Sequence, residues 1–273
     1  MKFADLHVHT LFSDGTSTAE EVVVEAQRQD LAAIAIVDHD TIEGIAATVE
    51  IGQGKGLEVL PGIELSAEYD GLEIHILGYL IDYQNKKLKE KLDFLKQSRI
   101  QRIYDMLDKL KDMGIILEAG KVFDIAKEGT VGRLHIARAM LKEKCVGSIA
   151  DVFQKYIGDK SPAYVCGFKF SPREAIELIR DMGGIAVLAH PYILHRDELI
   201  PEFVGYGLQG LEVYYPEHSQ SMINFYLGLA QKFGLLATGG SDFHGSAKPD
   251  VKMGLVRVPY DLVEALKKAK AAK

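Results

Sequence analysis

The apolar positions of the first third of the chain alternate between short continuous runs and helical spacing. Apolar runs of strand length occupy residues 2–8, 33–38, 57–66 and 72–80. The run 33–38 is continuous, which is typical of a strand that is buried on both faces. A helix is predicted over 18–30, where Thr18 and Glu21 form a capping box, and another ends near residue 54. This βαβα order predicts a mainly parallel sheet.

The pattern changes between residues 84 and 166. Asn85 to Met113 has the spacing of one long, lysine-rich amphipathic helix, and shorter helices are predicted over 121–128, 133–144 and 149–158. Because this segment has no low-complexity composition, it is predicted to be a helical insertion and not a linker. The predicted domains are therefore a core of 1–83 with 167–273 and an insertion of 84–166.

Strands and helices alternate again after the insertion. Helices are predicted from Ser171 to about 182, where Ser171 and Glu174 form a capping box, and over 196–205, 218–233 and 260–271. Strands are predicted over 185–189, 208–214 and 235–239. The count of six or seven βα units leaves two architectures open, an α/β barrel and a wide open sheet.

Composition and charge narrow the function classes. The 273 residues include 47% hydrophobic and 26% charged residues, which is typical of a folded globular protein. A net charge of −7 argues against stable binding of duplex nucleic acid, although bound divalent cations would still permit an anionic substrate. Cys145 and Cys166 are predicted to be reduced thiols. No leader-like segment and no apolar run of membrane-spanning length is present, so a soluble cytoplasmic protein without membrane contact is expected. The pattern gives no oligomeric state.

Candidate metal ligands recur at the ends of the predicted strands or in the predicted strand hairpin. They are six histidines and three carboxylates: His7, His9, Asp14, His39, Glu64, His75, His190, Asp242 and His244. A single histidine after a strand is more often structural, but only His135, His195 and His218 fall elsewhere. In an α/β barrel the carboxyl ends of the strands share one rim, so these side chains are expected to meet. Imidazole and carboxylate without thiolate favour Mn²⁺, Fe²⁺ or Zn²⁺.

Five motifs on these residues resemble those of the PHP (polymerase and histidinol phosphatase) family. They are His7-Val8-His9 with Asp14, Asp38-His39-Asp40-Thr41, Pro61-Gly62-Ile63-Glu64, Ala189-His190-Pro191 and Gly240-Ser241-Asp242-Phe243-His244. The resemblance implies a distorted (β/α)7 barrel with up to three divalent metals, Mn²⁺ first and Fe²⁺, Zn²⁺ or Mg²⁺ as alternatives. It implies three ligand sets: His7, His9, Glu64 and Asp242; Asp14, His39 and His244; and His75, His190 and the bridging Glu64.

Two further features resemble the stand-alone nucleotide phosphoesterases of that family. Asp14 stands where many members have histidine, and the insertion contains Gly132-Arg133-Leu134-His135-Ile136-Ala137. The corresponding family motif has proline at the Leu134 position, and its arginine and histidine face the substrate phosphate. Arg133 and His135 are therefore predicted to bind substrate, with Lys160 and His218 as further candidates. A solvated arginine and a helix-capping histidine are the structural alternative.

The predicted activity is hydrolysis of phosphate esters by a metal-bridged hydroxide, with Glu64, Asp242 and His190 as catalytic residues. The resemblance implies a small phosphorylated substrate: a nucleoside 3′,5′-bisphosphate, a nucleoside monophosphate or short RNA degraded 5′→3′. Histidinol-phosphate phosphatase is the alternative enzyme, against which Asp14 and the insertion count. A non-catalytic PHP module that binds another protein is the second alternative, and loss of ligands would mark it.

Overall fold

The computed structural model of the protein describes residues 2–126, 129–166 and 170–272. Within these residues the strands form one sheet in the order β7-β6-β5-β4-β3-β2-β1-β8. They are β1 (Phe3–Val8), β2 (Ala33–Ile36), β3 (Glu58–Tyr69), β4 (Leu72–Tyr79), β5 (Ile185–Leu188), β6 (Gly210–Tyr214), β7 (Leu236–Gly239) and β8 (Val258–Pro259). The two-residue strand β8 was not predicted, because two residues carry no readable period.

The sheet closes into a barrel at the carboxyl ends of its strands. Phe243, just after β7, forms a parallel bridge with Val8 at the end of β1. The N–H of His9 donates to the Phe243 carbonyl at 2.9 Å, and the N–H of Phe243 donates to the His7 carbonyl at 3.2 Å. Of the two architectures left open by the sequence, the distorted α/β barrel is therefore the correct one.

The distortion comes from β4, which runs antiparallel to both of its neighbours, β3 and β5. The hairpin between β3 and β4 turns at Asp70 and Gly71, whose φ angles are 51° and 76°. Two consecutive positive φ angles are those of a type I′ turn, which matches the twist of paired strands. The tight hairpin explains why no helix lies between these strands.

The helices begin and end near their predicted positions. They are α1 (Ala19–Arg28), α2 (Ile45–Gly54), α3 (Lys86–Asp112), α4 (Ala119–Ala126), α5 (Arg133–Lys142), α6 (Ile149–Val152), α7 (Pro172–Asp181), α8 (Pro191–Leu194), α9 (Ile200–Tyr206), α10 (Gln220–Phe233) and α11 (Asp261–Ala271). Both predicted capping boxes, at Thr18 and at Ser171, are present.

Three helix predictions need adjustment. The helix predicted over 149–158 is α6 followed by a π-helical turn, Phe153–Ile157. The one predicted over 196–205 consists of a 3₁₀ turn, Asp197–Leu199, and α9. The last two residues of the predicted helix 121–128 lie outside the described residues. No helix in the described ranges combines the length and the apolar character needed to cross a bilayer.

Leu88, Leu92 and Leu95 of α3 share an apolar cluster with barrel residues, whereas the later helices between β4 and β5 have a cluster of their own. Inside the barrel, Leu6, Leu60, Leu77 and Tyr79 belong to one buried cluster, and the Tyr79 hydroxyl donates to the Leu6 carbonyl at 2.9 Å. A second cluster is formed only by residues from Ile103 to Ala163. The division into 1–83 with 167–273 and 84–166 stays a prediction, and residues 167–169, where the second boundary falls, lie outside the described residues.

Candidate metal centre

A buried aspartate fixes the strand end that carries His7 and His9. Asp5 accepts hydrogen bonds from the backbone N–H of Ser241 at 2.8 Å and from its hydroxyl at 2.6 Å. The segment at Gly240 lies so close to β1 that a Cβ on Gly240 would be 2.3 Å from the backbone nitrogen of His7. Asp5 and Gly240 therefore set the segment that carries Asp242 directly against β1.

A second buried aspartate holds the loop that carries Asp14. Asp38 accepts from the N–H of Thr10 at 2.7 Å, from the Thr10 hydroxyl at 2.6 Å and from the Ser13 hydroxyl at 2.6 Å. Burial raises the pKa of Asp38 even though these bonds favour its charged form. The loop is thus tied to the carboxyl end of β2, next to His39.

Glu64 lies at the centre of the cluster. Its Oε2 atom lies 3.2 Å from His7 Nε2, 3.1 Å from His9 Nε2 and 3.5 Å from His39 Nδ1. Its Oε1 atom faces the other way, 2.8 Å from His75 Nδ1 and 3.3 Å from His190 Nε2. The two oxygens of one carboxylate therefore face two different groups of imidazoles.

Asp14 and Asp242 flank the cluster on the side of His244. Asp14 Oδ1 lies 3.0 Å from His244 Nε2 and 3.9 Å from His9 Nδ1. Asp242 Oδ1 lies 3.5 Å from His7 Nε2 and 3.4 Å from His9 Nε2. His9 therefore has both aspartates as neighbours. The structure brings all nine predicted ligands into one connected cluster.

Residues outside the predicted set orient the cluster. The His7 Nδ1–H donates to Oε1 of buried Glu212 at 2.8 Å, which leaves Nε2 facing Glu64. On Asp242, Oδ2 accepts from the Tyr215 hydroxyl at 2.9 Å and from Lys248 Nζ at 2.7 Å. Such outer contacts fix ring orientation and tautomer around metal sites.

The backbone is strained at three positions around the cluster. The φ angles of Asp40, His190 and Asp242 are 49°, 28° and 57°, in the region that favours glycine. Strained backbone of this kind concentrates at functional sites, where surrounding contacts hold it in place. For Asp40 that contact comes from α3, because the Arg99 Nε donates to its carboxylate at 2.7 Å.

The donor atoms fit divalent metals. Asp14 Oδ1, His39 Nδ1 and His75 Nδ1 are buried and make no hydrogen bond of good geometry among the described residues, although His244 and Glu64 lie close to the first and the last of them. Geometrically, three groups could each hold an ion: His9, Asp14, His39 and His244; His7, His9 and Asp242; and His39, Glu64 and His75. Buried polar atoms without partners are costly unless a ligand satisfies them.

The carboxylates favour positive charge at His9 and His75, whereas burial lowers the pKa of His39 and of His244. Burial opposes the ionisation of Glu64 and Asp242, but the histidines around Glu64 and Lys248 beside Asp242 outweigh it and hold both pKa values well below their usual range. Burial likewise disfavours charged imidazole, yet Glu64 raises the pKa of His75 to about 10. Glu64 and Asp242 raise that of His9 to about 9. The carboxylates thus stabilise cations among them.

A cavity of about 440 Å³ opens above the cluster. Seven predicted ligands line it, together with Arg99, Arg102 and Arg133 from the helices between β4 and β5 and the apolar Ile149, Phe153 and Ile193. Its size is that of ordinary small-ligand sites. The arrangement therefore combines cation-binding groups, arginines and an apolar wall in one space.

The four predicted substrate-binding residues have different surroundings. Arg133 lines the cavity, where its guanidinium pairs with Glu73 at 3.0 Å and with Asp159 at 2.7 Å. His135 is not among the residues that line it; its side chain is buried, and its Nδ1 accepts from the Gly132 N–H at 3.0 Å. That is the capping contact of the structural alternative.

The other two candidates are also outside the lining of this cavity. Lys160 is exposed in a turn, with a φ angle of 67°. His218 is buried against Tyr226, at 5.1 Å between ring centroids, and its Nδ1–H donates to the Val213 carbonyl at 2.8 Å. Its Nε2 has no hydrogen-bond partner among the described residues. Their roles in substrate binding stay predictions.

Sequence reasoning missed several residues that shape the site. The largest omission is Glu212, which β6 places beside His7; a charged residue within the apolar segment Gly-Leu-Glu-Val-Tyr was the available signal. Arg99 and Arg102 were missed because α3 is rich in charged residues, most of which are solvated. No sequence pattern around Lys248 indicated that it lies at the site.

Comparison with known proteins agrees with this geometry. The family model described as PHP domain matches residues 5–161. The 3′,5′-nucleoside bisphosphate phosphatase of Chromobacterium violaceum is 33% identical over 253 residues, covering 88% of this chain and 86% of that protein. The 5′-3′ exoribonuclease Rnm of Escherichia coli is 36% identical over 250 residues, covering 88% and 84%. A solved structure assigned as a metal-dependent phosphoesterase of Bifidobacterium adolescentis has a TM-score of 0.89 and 30% identity, covering 96% of this chain and 94% of that one.

Proposed function

The chain belongs to the PHP domain family of metal-dependent phosphoesterases, and on that premise we propose that it removes phosphate from nucleoside 3′,5′-bisphosphates. The observation that carries this proposal is the shared cavity: the Glu64-centred cluster and the Arg133 guanidinium line the same space. A substrate with two phosphates would use both. The similarity to the Chromobacterium violaceum phosphatase supports this choice.

We propose that the cluster holds up to three divalent metals in the ligand sets that the family resemblance implies. The opposite orientation of the two Glu64 oxygens supports a shared role for that carboxylate. The purely nitrogen and oxygen donor set favours Mn²⁺, with Fe²⁺, Zn²⁺ and Mg²⁺ as alternatives. Divalent metals bound there supply an activated water at neutral pH and neutralise charge on the phosphate.

The protein's own groups would bind and orient the ester. Glu64, Asp242 and His190 are the proposed catalytic residues, because all three line the cavity above the cluster. Glu212 accepts from the backbone N–H of His190 at 2.8 Å and so holds the backbone of that residue in place. Lys248 adds a positive charge beside Asp242, which attracts an anionic substrate into the cavity. Arg133 would hold the substrate's second phosphate.

A second candidate activity is stepwise 5′→3′ removal of nucleotides from short RNA. The apolar Ile149, Phe153 and Ile193 in the cavity wall favour it, because an aromatic and two aliphatic side chains can contact a base. The similarity to the Escherichia coli exoribonuclease supports it as well. Asp14 and the helical insertion favour both nucleotide activities over histidinol-phosphate phosphatase.

We also propose that the protein acts in the cytoplasm on small phosphorylated substrates. Cys145 and Cys166 form no disulfide among the described residues, as expected in a reducing compartment. The presence of all nine proposed ligands argues against a module that has lost catalysis.

A hydrolysis screen with Mn²⁺ tests the proposal, in which inorganic phosphate is measured for the phosphomonoesters and released nucleoside monophosphate for the RNA. Adenosine 3′,5′-bisphosphate, nucleoside monophosphates, 5′-phosphorylated short RNA and histidinol phosphate are compared at equal concentration. The bisphosphate is expected to have the highest kcat/KM. Preference for histidinol phosphate, or no release from any nucleotide, would overturn the assignment.

Arg133→Ala then tests the role of the second phosphate. A charge-assisted contact to phosphate is worth about 1.5–3 kcal/mol, so kcat/KM on the bisphosphate should fall roughly ten- to a hundredfold. Hydrolysis of p-nitrophenyl phosphate and the metal content should change much less. Arg196→Ala is the control, because the ion-pair partner of this arginine among the described residues is the neighbouring Glu198. Equal losses on both esters would mean that Arg133 acts on the reacting phosphate or on folding.

A further inference from the structure

Three arginines line the cavity beside the metal centre, and two of them are already paired. Arg99 forms an ion pair with Asp40 and donates to the Ser66 hydroxyl at 2.6 Å. Arg133 pairs with Glu73 and Asp159. The third, Arg102, forms no ion pair with any residue that the structure describes.

Arg102 is buried with part of its guanidinium unsatisfied. The side chain is only 7% exposed, and its Nε donates to the Val165 carbonyl at 2.7 Å. Its Nη2 is buried and has no hydrogen-bond partner in the described ranges. Leaving a buried, charged donor without an acceptor is costly, so an anion at this wall of the cavity would be stabilised.

The ring of Tyr164 keeps two of these guanidiniums together. The Cζ of Arg102 lies 5.3 Å from the ring centroid, and the Cζ of Arg133 lies 5.5 Å from it. Burial and the charges of Arg133 and Arg99, opposed by Glu73, lower the pKa of Arg102. Guanidinium still remains protonated in proteins, so two adjacent cations face the cavity.

One carboxylate, that of Glu73, contacts both Arg133 of the Arg102–Arg133 pair and a predicted ligand. Glu73 Oε2 contacts Arg133 at 3.0 Å, and Glu73 Oε1 contacts His75 Nε2 at 3.0 Å. No hydrogen bond or ion pair joins Arg102 to any of the nine ligands within the described residues. Arg102 can therefore contact an anion in the cavity without breaking any contact of the cluster.

We infer that Arg102, acting with Arg133, forms an anion subsite that selects ribose nucleotides carrying a second phosphate remote from the scissile one. This inference deepens the proposed function and rests on it for the identity of the substrate. Arg102 supplies the unpaired donor, while Arg133 must share its guanidinium with Glu73 and Asp159. Arg102 is thus a specificity-determining residue and has no part in bond cleavage.

The direct test is calorimetric binding to the full-length, chelator-treated protein, which cannot turn over the ligand. Adenosine 3′,5′-bisphosphate and adenosine 3′-monophosphate are titrated into wild type, Arg102→Gln and Arg102→Lys. Wild type is expected to bind the bisphosphate more tightly. Arg102→Gln should lose roughly ten- to a hundredfold of that affinity and little for the monophosphate. Arg102→Lys keeps the charge without the planar fork, so it should lose less.

Lys109→Gln is the matched control. Lys109 lies on the same helix and donates to the neighbouring Tyr164 carbonyl at 2.7 Å, but it is not among the residues that line the cavity. The Lys109→Gln variant should bind both ligands as wild type does. It therefore distinguishes loss of a contact between α3 and the Tyr164 carbonyl from loss of the subsite. Thermal melts check folding, and if Arg102→Gln is unfolded, the comparison of Arg102→Lys with wild type decides.

Three results would overturn the inference: no preference of wild type for the bisphosphate, unchanged binding by Arg102→Gln, or equal losses for both ligands. Hydrolysis with Mn²⁺ is measured in parallel. If wild type binds the bisphosphate through Arg102 but does not hydrolyse it, the proposed function fails and the subsite stands. If it hydrolyses the bisphosphate but Arg102→Gln binds normally, the subsite fails and the function stands.

Discussion

The Nδ1 atom of His7 lies 2.8 Å from Oε1 of Glu212, and both side chains are fully buried. The other Glu212 oxygen accepts the backbone N–H of His190 at 2.8 Å. One carboxylate on β6 therefore orients two predicted metal ligands from β1 and from the end of β5. Because it holds the His7 proton on Nδ1, Nε2 is left free to bind a cation.

Replacing Glu212 should weaken metal binding without removing a ligand. Glu212→Gln keeps the size and the hydrogen-bond acceptor but removes the charge that makes His7 basic. Loss of such an orienting partner typically costs about 10–100-fold in metal affinity. Mn²⁺ titration of chelator-treated protein measures the loss. Glu58→Gln, at the opposite end of the barrel strands, is the control, and equal affinities of the two variants would contradict the orienting role.

The position of Glu64 predicts that Glu64→Gln has a larger effect than His75→Ala. Glu64 faces five imidazoles through its two oxygens, whereas His75 faces Glu64 and Glu73. Glu64→Gln should therefore lower both kcat/KM and metal content more than His75→Ala does. The loss of kcat/KM in Glu64→Gln should be at least the roughly 10–100-fold that loss of an orienting partner costs. Elemental analysis and steady-state kinetics on the same preparations measure this. Similar mild losses in both variants would show that Glu64 is not shared between metals.

Metal removal should abolish activity and lower stability. A ligand that binds only the folded state stabilises it by about 2.7 kcal/mol at a hundredfold excess over its Kd. Chelated protein should therefore be inactive and melt at a lower temperature, and Mn²⁺ should restore both properties. Native protein should contain more than one equivalent of transition metal per chain. Full activity of metal-free protein would refute the mechanism.

The sequence was sufficient to predict that the nine side chains proposed as ligands come together. Their signal is local and repeated, because a histidine or carboxylate follows strand after strand and the strand ends share one rim. Glu212 has no such pattern: its function depends on which residue of a neighbouring strand it faces. The same is true of Arg102, whose burial depends on how α3 packs against residues around Tyr164.

The fold shows the same division between local and long-range information. Helices α1 and α7 were predicted with their capping boxes, because those signals lie within four residues. The antiparallel pairing of β4 with β5 and the closure of the barrel through Phe243 depend on contacts between distant segments. Periodicity reports the face that a strand buries, but it carries no information on its direction.

The pH dependence of stability tests whether burial keeps His135 neutral in the folded protein. Burial lowers the pKa of His135 to about 4, and the nearby cation Arg138 adds to this effect while Asp14 opposes it. The ordinary histidine value in an unfolded chain is about 6.5. Between these values the unfolded chain binds a proton at this position and the folded protein does not. The contribution of His135 to the free energy of unfolding therefore falls as the pH is lowered from 6.5 to 4.

His135→Gln removes this contribution and weakens the contact with the Gly132 N–H. The variant should be less stable than wild type at pH 7, by about 1 kcal/mol for a lost cap. The difference should shrink or reverse as the pH falls towards 4, because only wild type loses up to about 1.4 kcal/mol per pH unit. Urea unfolding in chelator at a series of pH values measures it. His195→Gln, at an exposed position, controls for histidine removal. A difference between wild type and His135→Gln that stays constant from pH 7 to pH 4 would show that His135 is not held neutral by burial.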